Sequence, residues 1–510
     1  MRTPLAMLRS WAEVFGYQAL GFLILVATVM LSAIAVPPAV WGEYWTLYAL
    51  MQMVGGIVLS WVAQSVPLFA RAEIRQRGDI RTTLTSALAI QGVLILAFSA
   101  TGIAILTATG QQAAVSPIVL FLLVLAITLS AAQETLSYAL QADNRFTGLG
   151  LGSALGKLGP LLAVAAIWAG APAVAELLLA GLVFGFAASL VATTAAMPPA
   201  AGEAARPSRK SMFTIITYGH KLPIAIAAGL VSAWMHVWFV RAWGGVHEAG
   251  VYGWAASLHA LVGSVLMPLS AVITPHLMDL ALTNEQERSR HRADLFIAVM
   301  VLAAALAPAY LGAVRALSAL LPSQYADAGP ILVLLLATVP AQLFAYLATP
   351  MLRAHPGMIG RIVAVNVLML GLGALLNLLL TPRLGGLGAA LALATSLWSG
   401  ALAIDRQTRR AIGEAPETSR RSTLTVIGSG ATVLILASVL VQLPAVLGIA
   451  GGLIAAAALI ASVRALGLLR PLVSFSYHMS FLPQRINRPL TTFFHWCDTG
   501  ARSSGRGGMA

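Results

Sequence analysis

The feature that most constrains this chain is a succession of apolar blocks, each about 20 residues long, separated by short polar joints. A helix of about 20 residues rises roughly 30 Å, the thickness of a bilayer's hydrocarbon. Blocks that are apolar all round need lipid or other helices as neighbours, not water on one face. Composition agrees: 59% of residues are hydrophobic and 10% charged, where a soluble chain carries about 25% charged. The predicted fold class is therefore an all-α polytopic membrane protein with about fourteen transmembrane helices. The spans are expected at 13–35, 44–69, 83–107, 117–140, 148–169, 174–197, 213–240, 250–280, 295–313, 329–351, 359–381, 385–404, 424–443 and 447–469.

The first block imitates a secretory signal. Arg2 and Arg9 precede it, and Ala33-Ile34-Ala35 resembles a cleavage site. The apolar run from Phe15 to Ala35 exceeds the roughly 7–15 residues of a signal core, so it reads as a retained first span.

The net charge of +13 does not point to nucleic acid, because the basic residues are scattered through short loops and form no stripe that could track phosphates. Their distribution sets orientation instead. Alternate loops carry 25 Lys and Arg on one side and 3 (Arg241, Arg315 and Arg383) on the other. Positive residues stay inside, so both termini are predicted to be cytoplasmic. The single cysteine, Cys497, allows no intramolecular disulfide. The linkers 198–212 and 405–423 divide the chain into a six-helix bundle over 1–200, a second over 211–410, a peripheral pair over 423–470 packed against lipid, and a basic tail over 471–510.

The two bundles read as a duplication. A shift of 208 places Gly21 on Gly229, Gly42-Glu43-Tyr44 on Gly250-Val251-Tyr252, Gly55 on Gly263 and Pro67 on Pro275. A shift of 212 places Leu140 on Leu352, Ala142 on Ala354, Gly148 on Gly360 and Gly159 on Gly371. Six spans per repeat is an even number, so the repeats are parallel, related by an axis along the membrane normal. Transporters built this way bind substrate between the halves.

Three stretches carry a family likeness: Gly250-Val251-Tyr252 opening a span that ends at Pro275; Gln324-Tyr325-Ala326-Asp327-Ala328 before Ile331-Leu332; and the run from Asn377 through Thr381, Pro382, Arg383, Gly385, Gly386 and Gly388 to Ala390. With Arg145 ahead of a Gly-rich span, this order over about residues 11–410 resembles the polysaccharide flippases of the multidrug/oligosaccharidyl-lipid/polysaccharide superfamily. The resemblance implies two six-helix bundles around a central cavity, and substrates that are isoprenoid-diphosphate-linked sugars. The partners it implies are that lipid-linked oligosaccharide, membrane lipids and polysaccharide polymerase machinery.

Ionisable groups deep in a bilayer are costly and mark function. Lys157 lies about nine residues into span 5, and Lys221 about eight into span 7 beside His220. One lysine per half at matched depth suits a diphosphate, because an ammonium is a mobile point charge with three donors. The rival reading pairs Lys157 with Glu134, at similar depth in span 4. His259 is a candidate for ligand or proton work, and Trp234 for stacking on sugar rings, with Trp238 and Trp254 nearby. Trp41, Trp45, Trp168 and Trp243 fall near outer span ends, where interfacial anchoring is expected. Glu176 reads as a charge at a helix N-terminus. Gly152 to Lys157 imitates a nucleotide-binding loop but lacks its spacing and its Ser/Thr. Gly148, Gly152 and Gly156 instead recur every four residues, as in close helix packing. No cofactor or metal is expected, and no catalytic constellation.

The leading functional reading is an alternating-access flippase for polyprenyl-diphosphate-linked oligosaccharide, and not an enzyme. The alternatives are a multidrug or cation antiporter of the same superfamily, which should carry cavity carboxylates, and a polytopic glycan ligase or glycosyltransferase, which should carry a large outer loop.

Overall fold

The computed structural model describes residues 4–469 apart from 78, 109–115, 144, 198–205, 220–221, 283–285, 320, 355–358, 414–415 and 467, together with 471 and 492; the side chains of 4–15, 75, 106, 146, 218–219, 222, 262, 264–292, 317, 350–351, 353–354, 359, 416–419 and 445–446 are also outside the description. The described residues are mostly helical, joined by short turns, with no strand among them. Among them, twelve helices are long and apolar enough to cross a membrane. Spans 1 to 6 are Gly16–Ala35, Pro38–Ile74, Arg81–Ile105, Pro117–Ala142, Thr147–Trp168 and Ala175–Ala195. Spans 9 and 10 are Ala293–Ala316 and Ala328–Thr349, and spans 13 and 14 are Arg420–Gln442 and Leu447–Ala465.

The two remaining helices each hold two spans, which brings the segments to the expected fourteen. Leu222–Leu282 changes direction at Gly245, where φ is 78°. Trp45 packs on both Trp234 and Gly253. Those two lie 19 residues apart, about 28 Å along a straight helix, so the chain must fold back between them. Span 7 is therefore 222–244 and span 8 begins at 246. Ile359–Ala411 folds back at Gly385, where φ is 55°. Leu380 meets Gly388, Met369 meets Gly400, and Arg361 donates to Gln407 at 3.3 Å, an antiparallel register throughout. Spans 11 and 12 are thus a hairpin. Its sequence signature is structural: Gly385 supplies the left-handed turn, Gly388 admits the Leu380 carbonyl, and Thr381 hydrogen-bonds Asn377 inside the buried face.

The chain divides into two compact units, Met1–Ser257 and Leu258–Ala510. In the first, spans 5 and 6 close like a zipper. Gly148 lies against Ala196, Gly152 against Thr193, Gly156 against Ser189 and Gly159 against Gly185. The four-residue glycine repeat is a packing stripe, as its spacing requires. Arg145 ties down the Arg-rich end by bonding Asp143 at 2.6 Å and the Ala196 carbonyl at 3.2 Å.

The unit also holds the contact between Gly42 and Gly250. Gly42 sits against the Val246 carbonyl, and Gly250 sits against the Pro38 carbonyl. Pro38 and Val246 are themselves 208 residues apart, so the contact is reciprocal, as it must be where two equivalent segments cross on a two-fold axis. The offset read from the sequence is thereby realised in space at these four residues.

Ahead of Leu222, the stretch Arg209–Gly219 is helical, and helix resumes at Leu222 past the two residues outside the description. The short helix buries Ile215, exposes Phe213 and Ile216, and is held where the backbone N–H of Ser208 donates to Ser86 at 3.0 Å.

In the second unit the last two spans are tightly attached. Gly312 of span 9 meets the Gly448 carbonyl, Gly452 meets the Pro308 carbonyl, and Gly430 of span 13 packs on Trp398 of span 12. Their other face, with Ile435, Leu447, Leu453 and Ile454, is exposed and apolar. A buried charge cluster pins the Arg-rich end. Arg409 bonds Asp405 at 2.9 Å and Asp294 at 3.2 Å, while Ser422 donates to both Asp405 oxygens at 2.9 and 3.0 Å. The tail beyond Pro471 lies almost wholly outside the described residues.

Candidate functional site

Span 5 is two helices, Phe146–Gly156 and Leu158–Trp168, with Lys157 at the joint. The cause is Pro160. It has no N–H to give the Gly156 carbonyl four residues back, and its ring crowds that carbonyl. The backbone N–H of Lys157 accordingly bonds Ala154 at 3.2 Å, a tighter turn than the α-helix. Lys157 therefore stands half-way along the span, about 15 Å from either end by helical rise. Its side chain crosses span 1 at Gly21: a Cβ there would lie 2.8 Å from Nζ and 3.1 Å from Cδ. No ion pair or side-chain hydrogen bond of Lys157 forms among the described residues.

The expected Glu134–Lys157 pair is not formed. Glu134 instead accepts a hydrogen bond from Ser60 at 2.6 Å. Ser60 ends a π-helical turn, Gly56–Ser60, in the middle of span 2. The same turn is held by Gln91 of span 3, which donates to the Leu59 carbonyl at 3.3 Å and accepts from Thr135 at 2.9 Å. Glu134 and Thr135 thus join span 4 to a widened turn of span 2, and π turns recur at functional sites. Ser60 was missed because 74 residues separate it from Glu134 and nothing local marks a π turn.

His220 and Lys221 lie outside the described residues.

The tryptophans sort differently from expectation. Trp168 and Trp243 are 65% and 46% exposed, as anchors should be, but Trp41 and Trp45 are 3% and 6% exposed. Trp254 is buried and spends its indole N–H on the Val29 carbonyl at 2.8 Å, which makes it a packing residue. Trp234 is half-buried, 5.7 Å from Trp45 and 5.5 Å from Tyr48 between ring centroids.

In the second unit His259 has a polar setting of its own. Its Nε2 is 2.8 Å from Thr338 Oγ1 and 2.8 Å from Gln342 Nε2. Because a glutamine N–H donates, that arrangement leaves His259 Nε2 the acceptor. The cluster sits where span 10 breaks into Ala328–Leu336 and Val339–Ala354. Pro340 removes the donor for the Leu336 carbonyl, and Tyr310 supplies a hydroxyl there at 3.1 Å. Trp398 caps the Ala337 carbonyl at 3.2 Å. The mid-span prolines, Pro160 and Pro340, were the sequence signals for both breaks. Glu176 lies in the first turn of its helix, as expected.

No family model and no curated protein matches the chain, but solved structures do. A structure of the lipid II flippase MurJ in an inward closed conformation aligns with TM-score 0.59 and 11% identity, over 90% of this chain and 99% of the other. A MATE bound to MaL6 aligns with TM-score 0.57 and 11% identity, over 82% and 97%. An outward-facing multidrug resistance MATE transporter of the MOP superfamily aligns with TM-score 0.56 and 12% identity, over 81% and 96%. The chain has the fold of the MOP-superfamily transporters. At this identity the likeness concerns the fold.

Proposed function

We propose that this chain is an alternating-access flippase that moves polyprenyl-diphosphate-linked oligosaccharide from the cytoplasmic to the outer leaflet of a bacterial inner membrane, its termini cytoplasmic. The observation that carries the reading is Lys157: a cation without a described ion pair, at a helix break in mid-span. Holding a charge at that depth is costly unless an anion arrives to meet it. The diphosphate is such an anion, and the N-terminal end of the half-helix Leu158–Trp168 adds a favourable dipole beside the lysine. The lipid tail need never leave the bilayer. The likeness to the lipid II flippase MurJ supports the same substrate class.

A second reading has its own observation. Glu134 is a carboxyl about 12 Å inside span 4 by helical rise, and a carboxyl at that depth suits an exporter of organic cations, as the MATE likeness also does. Reconstitution separates the two. Proteoliposomes of the purified protein are given a labelled polyprenyl-diphosphate oligosaccharide in one arm and tetraphenylphosphonium in the other. Translocation of the lipid-linked glycan alone supports the flippase, and transport of the cation alone overturns it.

A further inference from the structure

A ladder of aromatic rings runs along one face of span 2 in the first unit. Trp41 stacks on Trp45 at 6.5 Å, Trp45 on Tyr48 at 5.2 Å, and Trp234 of span 7 closes against both Trp45 and Tyr48. Tyr44 lies 5.3 Å from Trp41. Gln52, one turn beyond Tyr48, donates to the Tyr48 hydroxyl at 2.6 Å. Positions 41, 45, 48 and 52 recur at helical spacing and share a face.

Packing alone accounts for stacked rings but not for their polar atoms. The indole N–H groups of Trp41 and Trp45 are buried and have no acceptor among the described residues. Three other tryptophans do find acceptors. Trp61 donates to Val58, Trp254 to Val29 and Trp398 to Ala337. A buried donor without an acceptor costs free energy and calls for an explanation. Two of them side by side, in a stack rimmed by the half-buried Tyr48, Gln52 and Trp234, fit a ligand that offers a flat apolar face and many acceptors.

We propose, building on the flippase reading, that this ladder is the seat for sugar rings of the transported glycan, distinct from the Lys157 diphosphate site. A pyranose presents axial C–H bonds to an aromatic face and hydroxyl oxygens at its edge. Rings of Trp234 and Tyr48 take the face, and Gln52 with the two indoles takes the oxygens as the ladder opens. An organic cation would gain from the rings too, but it would leave both indole donors unmet, because it brings no acceptor.

The probe is a neutral oligosaccharide, freed of lipid and phosphate, released from the host's own lipid-linked glycan. Tryptophan fluorescence and calorimetry on the purified full-length protein read its binding. Saturable quenching is expected, weakened about tenfold by Trp45→Phe, which keeps the stack and removes one donor. Trp234→Ala should weaken it by about tenfold or more. Lys157→Ala should leave it unchanged, because the probe carries no phosphate. Trp45→Phe removes indole volume as well as the donor, so thermal stability is measured beside affinity, and a merely structural ladder would lose stability with no change in affinity. Absent quenching overturns the proposal, as does wild-type affinity in both tryptophan variants or quenching by tetraphenylphosphonium alone. Translocation of the labelled lipid-linked substrate by the wild type is measured in parallel. Its presence without oligosaccharide binding sinks the sugar seat and spares the flippase, and its absence sinks the flippase.

Discussion

Gly42 and Gly250 lie directly against each other, each beside a carbonyl of the other's segment. The two are equivalent under the 208-residue shift, so the contact places the duplication on a local two-fold axis. Neither position has room for a Cβ, since the obstacle is backbone on both sides. Gly42→Ala and Gly250→Ala should each cost about 1–3 kcal/mol by forcing the helices apart. The double variant should cost less than the sum, because one separation relieves both clashes. Thermal unfolding of the purified variants reads this. Additive losses would mean that the two sites are independent.

Gly21 calls for the opposite result. Its neighbour is the flexible end of Lys157, which can move aside. Gly21→Ala should therefore leave abundance and melting temperature near wild type while displacing the ammonium and lowering transport several-fold, roughly 1 kcal/mol. A large fall in stability would show that Lys157 is fixed in place as a packing element.

Pro160→Ala tests the helix break. It restores a donor for the Gly156 carbonyl and removes a residue that costs about 3 kcal/mol inside a helix. The variant should be at least as stable as wild type, yet transport should fall, because a straight span 5 carries Lys157 away from Gly21. Unchanged transport would detach the break from the function.

The buried cluster at Arg409 is structural. Arg409→Met strands Asp405 in the interior and should cost about 3–5 kcal/mol, seen as a collapse in membrane abundance. Adding Asp405→Leu should recover much of it, since two apolar residues replace a buried pair at little cost. Failure to recover would mean that Asp294 and Ser422 need the charge.

Much of this architecture was legible in the sequence because the bilayer leaves few choices. Apolar length located most spans to within a few residues. The glycine stripe of span 5 and the 208-residue shift were readable because small residues at fixed spacing have one main use, close backbone approach. Burial was not readable. Trp41 and Trp45 share the composition and position of membrane anchors, and only the arrival of span 7 and span 8 against them makes them interior. The Glu134–Ser60 bond and the His259–Thr338–Gln342 cluster join residues at least 74 positions apart on different spans, and pairing at that range leaves no local pattern.

The central claim is that Lys157 holds the diphosphate, and its most direct measurement is translocation of a labelled polyprenyl-diphosphate oligosaccharide in proteoliposomes by Lys157→Ala beside wild type. A charge-assisted hydrogen bond in a partly dehydrated site contributes about 1.5–3 kcal/mol, so the variant should bind and move the substrate about ten- to a hundredfold less well while remaining folded. Lys157→Arg should restore part of the rate, because charge is kept and geometry is not, and Lys221→Ala run alongside tests whether the second lysine shares the load. Wild-type translocation by Lys157→Ala at equal protein content would contradict the account.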